Sequence, residues 1–350
     1  GLFITLLALI TFTSEAGVTG VGVSLILLVL AIALLITSAE FFIEGAKGLA
    51  RRAGIAEVII GLTIVSIGTS LPEILVSSTA AFDSQQNPEL ADFAIGNIFG
   101  SVLVQITLIL GIVVMVRPLE VRPDWITRDG LLMLGAVLLL AFFLWTGSAL
   151  NRIEGFILVS IYIGYISWLL RNRDQIRADE LEVAEEVRPK ERGWNGTAYF
   201  LMVVLGLTLA IFASVQLVKI ASMIAISMNV PHAIVGTTMS GLGTSLPELT
   251  VALLASKRSQ GVAIGTLIGS NITDPLLSIG IAAMINPLAM TSEGNTLIMH
   301  LIIPATIIGV IACLIFMRSG FKFNRSEGVI LTGIYLLFLM SLELHRQGYI

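Results

Sequence analysis

The chain has 350 residues, of which 56% are hydrophobic and only 13% charged, with a net charge of −4 and a mean hydropathy of +0.95. These values lie outside the range of soluble globular domains, so the chain reads as a polytopic membrane protein whose environment is the lipid bilayer, with no nucleic-acid partner expected. Cys313 is the only cysteine, which excludes disulfides and thiolate metal sites within the chain.

In chain order, the apolar start from Leu2 to Phe12 reads either as an extra helix or as the remainder of a signal segment. Spans are then expected near 22–49, 56–82, 92–115, 127–147 and 152–170, and again near 197–223, 231–256, 260–286, 296–317 and 326–344. Between the two sets lies one long hydrophilic connection, 171–196, carrying Asp179, Glu180, Glu182, Glu185 and Glu186. That run lacks the spaced ligands and glycine of a calcium-binding loop and reads as a solvated face. The expected fold is all-α, with two inverted repeats of five transmembrane helices, 22–170 and 197–344. Segment 1–21 supplies an eleventh helix if it is helical.

Inversion follows from charge. Seventeen of the 20 Lys and Arg residues fall on connections of one side, and only Arg152, Lys219 and Arg346 on the other. The rich side is cytoplasmic by the positive-inside rule. Five spans per half is an odd number, so a second copy of the first half must enter the bilayer upside down. The halves are indeed copies: Gly61–Glu73 and Gly236–Glu248 are identical at eight of thirteen positions. Downstream, the ten residues from Gly96 to Gln105 align with those from Gly265 to Asp274. Inverted repeats place a substrate site at their shared interface, near the bilayer midplane.

The duplicated phrase is Gly68-Thr69-Ser70-Leu71-Pro72-Glu73 and Gly243-Thr244-Ser245-Leu246-Pro247-Glu248. It puts a carboxylate and a helix-breaking residue where lipid should forbid both. Pro72 and Pro247 have no N–H to give the residues four positions back, so the carbonyls of Gly68 and Gly243 are released. The glycines admit close backbone approach, and Thr69, Ser70, Thr244 and Ser245 add hydroxyl and carbonyl oxygens. An all-oxygen set with two carboxylates suits a hard cation such as calcium. Protons or sodium ions neutralise the same pair, so the occupants are mutually exclusive. One site that faces each side in turn under exclusive occupancy is an antiporter. The Gly96/Gly100 and Gly265/Gly269 pairs also suit plain helix packing. Glu40 and Glu44, one turn apart, suit either an access path or pairing with Lys47. His232 suits either a pH-reporting role or a passive place at the span boundary. His300 and His345 show no role.

These phrases, each followed by a Gly-polar-x-x-Gly-Ser segment, resemble the alpha repeats of the calcium/cation antiporter superfamily. The resemblance covers residues 20–344 and implies that Glu73 and Glu248 bind calcium, with Thr69 and Thr244 giving main-chain oxygens. In sodium-coupled members the serines matching Ser70, Ser101, Ser245 and Ser270 also serve. The first helix of each half is held to slide during the inside-outside switch. Exchangers of that kind usually carry Asn where this chain has Gln105, while Asp274 matches their second-repeat acid. The longer amide could fill the place of a monovalent ion, which favours protons as counter-ion, bound at Glu73 and Glu248 with Gln105 and Asp274 tuning the charge. Sodium is the alternative. The resemblance thus implies export of Ca2+, as transported substrate and with no cofactor, across a prokaryotic plasma membrane. A channel would draw such ligands from several subunits. A membrane enzyme would need a nucleophile or metal constellation such as a histidine pair near the acids, and none of the three histidines lies near Glu73 or Glu248 in the sequence.

Overall fold

The computed structural model describes residues 4, 6–8, 11, 20–52, 66–172, 194–256 and 260–347. The expected N-terminal helix falls largely outside these, as do Gly61 to Val65 and the acidic run of the connection. Eight helices among the described residues are long and apolar enough to cross a membrane: Gly22–Phe42, Glu89–Val116, Ile126–Gly147, Arg152–Arg171, Gly196–Ala225, Ala263–Ile285, Ser292–Arg318 and Arg325–Arg346. They coincide with eight of the ten expected spans.

The other two, expected as continuous at 56–82 and 231–256, are broken. One reads α2 (Ser66–Thr69) then α3 (Leu71–Asp83), the other α9 (Gly241–Thr244) then α10 (Leu246–Ser256). Pro72 and Pro247 stand at the second position of a fresh helix, where a missing N–H costs nothing, so the chain restarts there instead of kinking. Around them stand α1 (Val21–Arg52), α4 (Glu89–Val104), α5 (Leu110–Val116), α6 (Leu131–Gly147), α7 (Arg152–Arg171), α8 (Gly196–Met228), α11 (Gln260–Thr273), α12 (Ile279–Ile285), α13 (Ile303–Arg318) and α14 (Arg325–Arg346).

Helices α4 and α5 join through a wide π turn at Gln105–Ile109, and α11 and α12 through another at Asp274–Ser278. The two turns occupy equivalent places in the two halves. The spans that contain them are the most enclosed, whereas α6, α7, α13 and α14 present Trp145, Trp168, Ile315 and Leu336 outward. In a chain of this composition such a surface faces acyl chains.

Close contacts interlock the halves. A Cβ on Gly155 of α7 would lie 2.7 Å from the carbonyl of Gly280 in α12, and one on Gly328 of α14 would lie 2.8 Å from the carbonyl of Gly111 in α5. The last helix of each half therefore packs on the other half, through a small-residue contact that lets backbones touch. Helices α1 and α8 also lie against one another: a Cβ on Gly206 would sit 2.6 Å from Phe42 N.

Two strand pairs finish the frame. Strand β1 (Leu119–Glu120) pairs antiparallel with β4 (Lys322–Phe323), and β2 (Ala149–Leu150) with β3 (Leu288–Ala289). Equivalent strands, β1 with β3 and β2 with β4, sit in different pairs, as an upside-down second copy requires. The first pair lies among Arg117, Arg122, Arg318 and Arg325, on the basic side of the charge count. Near the second, Asn286 donates to Ser84 Oγ (2.8 Å), and the Thr291 N–H and hydroxyl donate to Asp92 (3.1 and 2.5 Å). His232 Nδ1 lies 2.6 Å from Glu89 Oε2, a tie between helix starts. Glu40 and Glu44 are exposed on α1.

Candidate cation site

Both phrases adopt one backbone. Ser70 breaks its helix at φ −81°, ψ 4°, and Ser245 does so at φ −87°, ψ 6°. After the break the helix recloses, with Ile74 N donating to Ser70 O (3.0 Å) and Leu249 N to Ser245 O (3.2 Å). Gly243 is pressed against α1, where a Cβ would lie 2.5 Å from Ile32 Cδ1.

The breaks aim Glu73 and Glu248 into the interior, where each is 0% exposed. Asp274, Gln105, Ser70, Ser101, Ser245, Ser270, Thr69 and Thr244 are buried with them. Most of the hydrogen bonds cross between halves. Ser245 Oγ donates to Glu73 Oε1 (3.2 Å), and Gln105 Nε2 donates to both Ser245 Oγ (3.1 Å) and Asp274 Oδ2 (3.1 Å). Ser270 Oγ donates to Glu248 Oε1 (3.4 Å) and shares a bond with Thr69 Oγ1 (3.4 Å). Ser101 Oγ and Thr244 Oγ1 make the matching pair at 3.3 Å. All the residues expected at the site thus belong to one cluster, with Gly68 and Gly243 in the short helices beside it.

Electrostatics makes this cluster unusual. Three carboxylates, Glu73, Glu248 and Asp274, are fully buried, and among the described residues none has an ion-pair partner. Glu73 Oε2, Glu248 Oε2 and Gln105 Oε1 are buried without any hydrogen-bond partner among those residues. Such oxygens are costly unless something positive meets them. The acids do not form a compact three-carboxylate metal cluster among the described residues. Neutral oxygens must therefore complete any cation's shell, and the released carbonyls and surrounding hydroxyls are of the right chemistry.

Sequence reasoning missed a set of polar residues one turn away. Asn97 Nδ2 donates to Ser77 Oγ (3.1 Å), Ser240 Oγ donates to Asn97 Oδ1 (2.7 Å), and Ser278 Oγ donates to Asp274 Oδ1 (3.4 Å). The signal was present: Ser77, Asn97, Ser240 and Ser278 each stand four residues from Glu73, Ser101, Thr244 and Asp274, on the same helix face. Asn271, whose Oδ1 lacks a partner, was missed as well.

Comparison with known proteins gives the same picture. CaxA of Alkalimonas amylolytica is 32% identical over 88% of this chain and 95% of its own length. The inner membrane protein YrbG of Escherichia coli is 30% identical over 90% and 95%. The sodium/calcium exchanger MaX1 of Methanosarcina acetivorans is 28% identical over 92% and 99%. Among solved structures, the sodium-calcium exchanger NCX_Mj superposes with a TM-score of 0.61 at 25% identity, covering 92% of this chain and 99% of that one. The family described as sodium/calcium exchanger protein matches residues 23–171 and 198–342. With that match over both halves, the chain belongs to the sodium/calcium exchanger protein family and is a multi-pass membrane antiporter of calcium and a second cation.

Proposed function

We propose that this antiporter exports Ca2+ from the cytoplasm of a prokaryote in exchange for Na+, by alternating access to the site between Glu73 and Glu248. The repeats are taken as 22–170 and 197–344, joined by the cytoplasmic connection 171–196. The observation that carries the reading is the set of buried oxygens without partners: Glu73 Oε2, Glu248 Oε2 and Gln105 Oε1. Two carboxylates with the Thr69 and Thr244 main-chain oxygens and the Gly68 and Gly243 carbonyls hold Ca2+. Sodium ions then take over the carboxylates, with Ser70, Ser101, Ser245 and Ser270 as neutral ligands.

Sodium is preferred to the proton because a proton needs only a carboxylate, whereas a metal ion needs the neutral oxygens gathered here. The names of MaX1 and NCX_Mj point the same way. The argument for protons drawn from the length of Gln105 weakens, because its amide nitrogen bonds Ser245 and Asp274 and its oxygen is left open. Proton exchange stays as the second reading, favoured by three buried carboxylates with no basic partner among the described residues.

Such a protein is a transporter and not an enzyme. A change in net charge moved per cycle is worth about 2.3 kcal/mol per charge per 100 mV, so the ion ratio decides how far the potential drives export. The test is calcium uptake into inside-out vesicles under an imposed sodium gradient or an imposed pH gradient. Acceleration by sodium is expected. Acceleration by the pH gradient alone transfers the assignment to protons, and uptake indifferent to both sinks antiport.

A further inference from the structure

We propose that Gln105 is a positioning residue that anchors Glu73 through the Ser245 hydroxyl, a relay that the second half lacks. The proposal rests on the cation-exchange reading above. Gln105 is fully buried, and both N–H bonds of its amide are committed, one to Ser245 Oγ and one to Asp274 Oδ2, each at 3.1 Å. The amide has no alternative orientation, since a reversed group would set its oxygen against the Asp274 carboxylate.

Its orientation dictates the next bond. Ser245 has one proton, and with a lone pair taken by Gln105 it turns that proton to Glu73 Oε1 at 3.2 Å. Donor follows donor from Gln105 to Ser245 to Glu73, and each bond polarises the next in a low-dielectric core. Glu73 is thereby held with Oε2 open.

The other half has no such relay. The residue equivalent to Gln105 is Asp274, which as a carboxylate only accepts. The residue equivalent to Ser245 is Ser70, whose hydroxyl is turned to Asp274 and not to Glu248. Glu248 is met instead by Ser270 of its own half, at the longer 3.4 Å, and by the Thr69 hydroxyl, neither of which is set by an amide. A chain with equal residues at both places would hold its two glutamates alike. Here a single amide, present in one half only, sets the orientation of one carboxylate of the pair and not of the other. The length of glutamine matters, because Asn is one methylene shorter and reaches at most one of the two partners from the same backbone position.

The test is a mutant cycle on the full chain in proteoliposomes, reading the KM and kcat of calcium uptake for Gln105→Leu, Ser245→Ala and the double variant. Each single change is expected to raise KM about tenfold, as loss of one hydrogen bond to a charged group does, with kcat changed less than about twofold. The double variant is expected to match the larger single one, because both changes cut the same relay. Gln105→Asn should fall between Leu and the native residue. Should Gln105→Leu fail to elute as folded protein, Gln105→Asn takes its place in the cycle. Multiplying effects, or an unchanged KM for Gln105→Leu, overturn the relay. Wild-type uptake that needs no counter-ion overturns the exchange reading instead.

Discussion

The first and second ion phrases share six consecutive residues and nearly the same backbone break, at Ser70 and at Ser245. Their surroundings differ. Glu73 is bonded by a serine of the opposite half, Glu248 by a serine of its own. Asn97 ties Ser77 of α3 to Ser240 before α9, whereas the residues equivalent to Asn97 and Ser77 are Thr266 and Ala252, which cannot repeat that tie. Duplication has preserved the backbone that releases carbonyls, and side chains one turn away have diverged. The lesson is that inverted symmetry governs where the site lies, while its asymmetric neighbours decide how each face holds an ion.

The largest effect that would break this comparison is on the glutamates. Glu73→Gln and Glu248→Gln should each lower calcium exchange by about a hundredfold or more, while the protein still elutes as a folded species, because a neutral amide removes an expensive buried charge. Normal exchange by either variant would remove that carboxylate from the site. Next comes the tie made by Asn97. Asn97→Leu should cost about 2 kcal/mol by stranding the partners Ser77 and Ser240. Thr266→Val, at the equivalent place, should cost less than about 0.5 kcal/mol. Thermal unfolding in detergent compares the two, and equal losses would show the halves to be alike after all. The smallest effect concerns the start of α7. There Asn151 Oδ1 accepts from Ile153 N (2.9 Å) and Glu154 N (3.0 Å), and Glu154 Oε2 accepts from Asn151 N (2.8 Å). Asn151→Ala should cost about 1 kcal/mol in the same assay, with calcium uptake unchanged.

Much of this was legible in the residues. Hydropathy located eight spans, because lipid demands about twenty apolar residues in a row. The repeated Pro-Glu phrase located the acids, because a carboxylate within a span is costly and marks an ion pathway. The restart after Ser70 and Ser245 was hidden, since proline disfavours helix continuation without saying whether a new helix begins at once. The role of Gln105 was hidden for a different reason. Its acceptor, Asp274, stands 169 positions away, and no local pattern pairs them. The π turns that carry Gln105 and Asp274 into the interior leave no sequence signature either, although such turns gather at functional sites. Two-residue strands such as β1 and β4 are too short to show any alternation.

Those short strands bear on how the molecule is made. Leu119 finds its partner only when Phe323 has been synthesised, about two hundred residues later. Gly111 likewise waits for Gly328. The ribosome thus delivers a first half whose strand, helix groove and buried carboxylate are all uncompensated, and closure arrives with the final helices. Such long-range pairing is slow and leaves the growing chain exposed. Closure of the frame is therefore a late step, completed only when α14 is in place, and a chain stopped before α14 leaves the Gly111 groove of α5 unfilled.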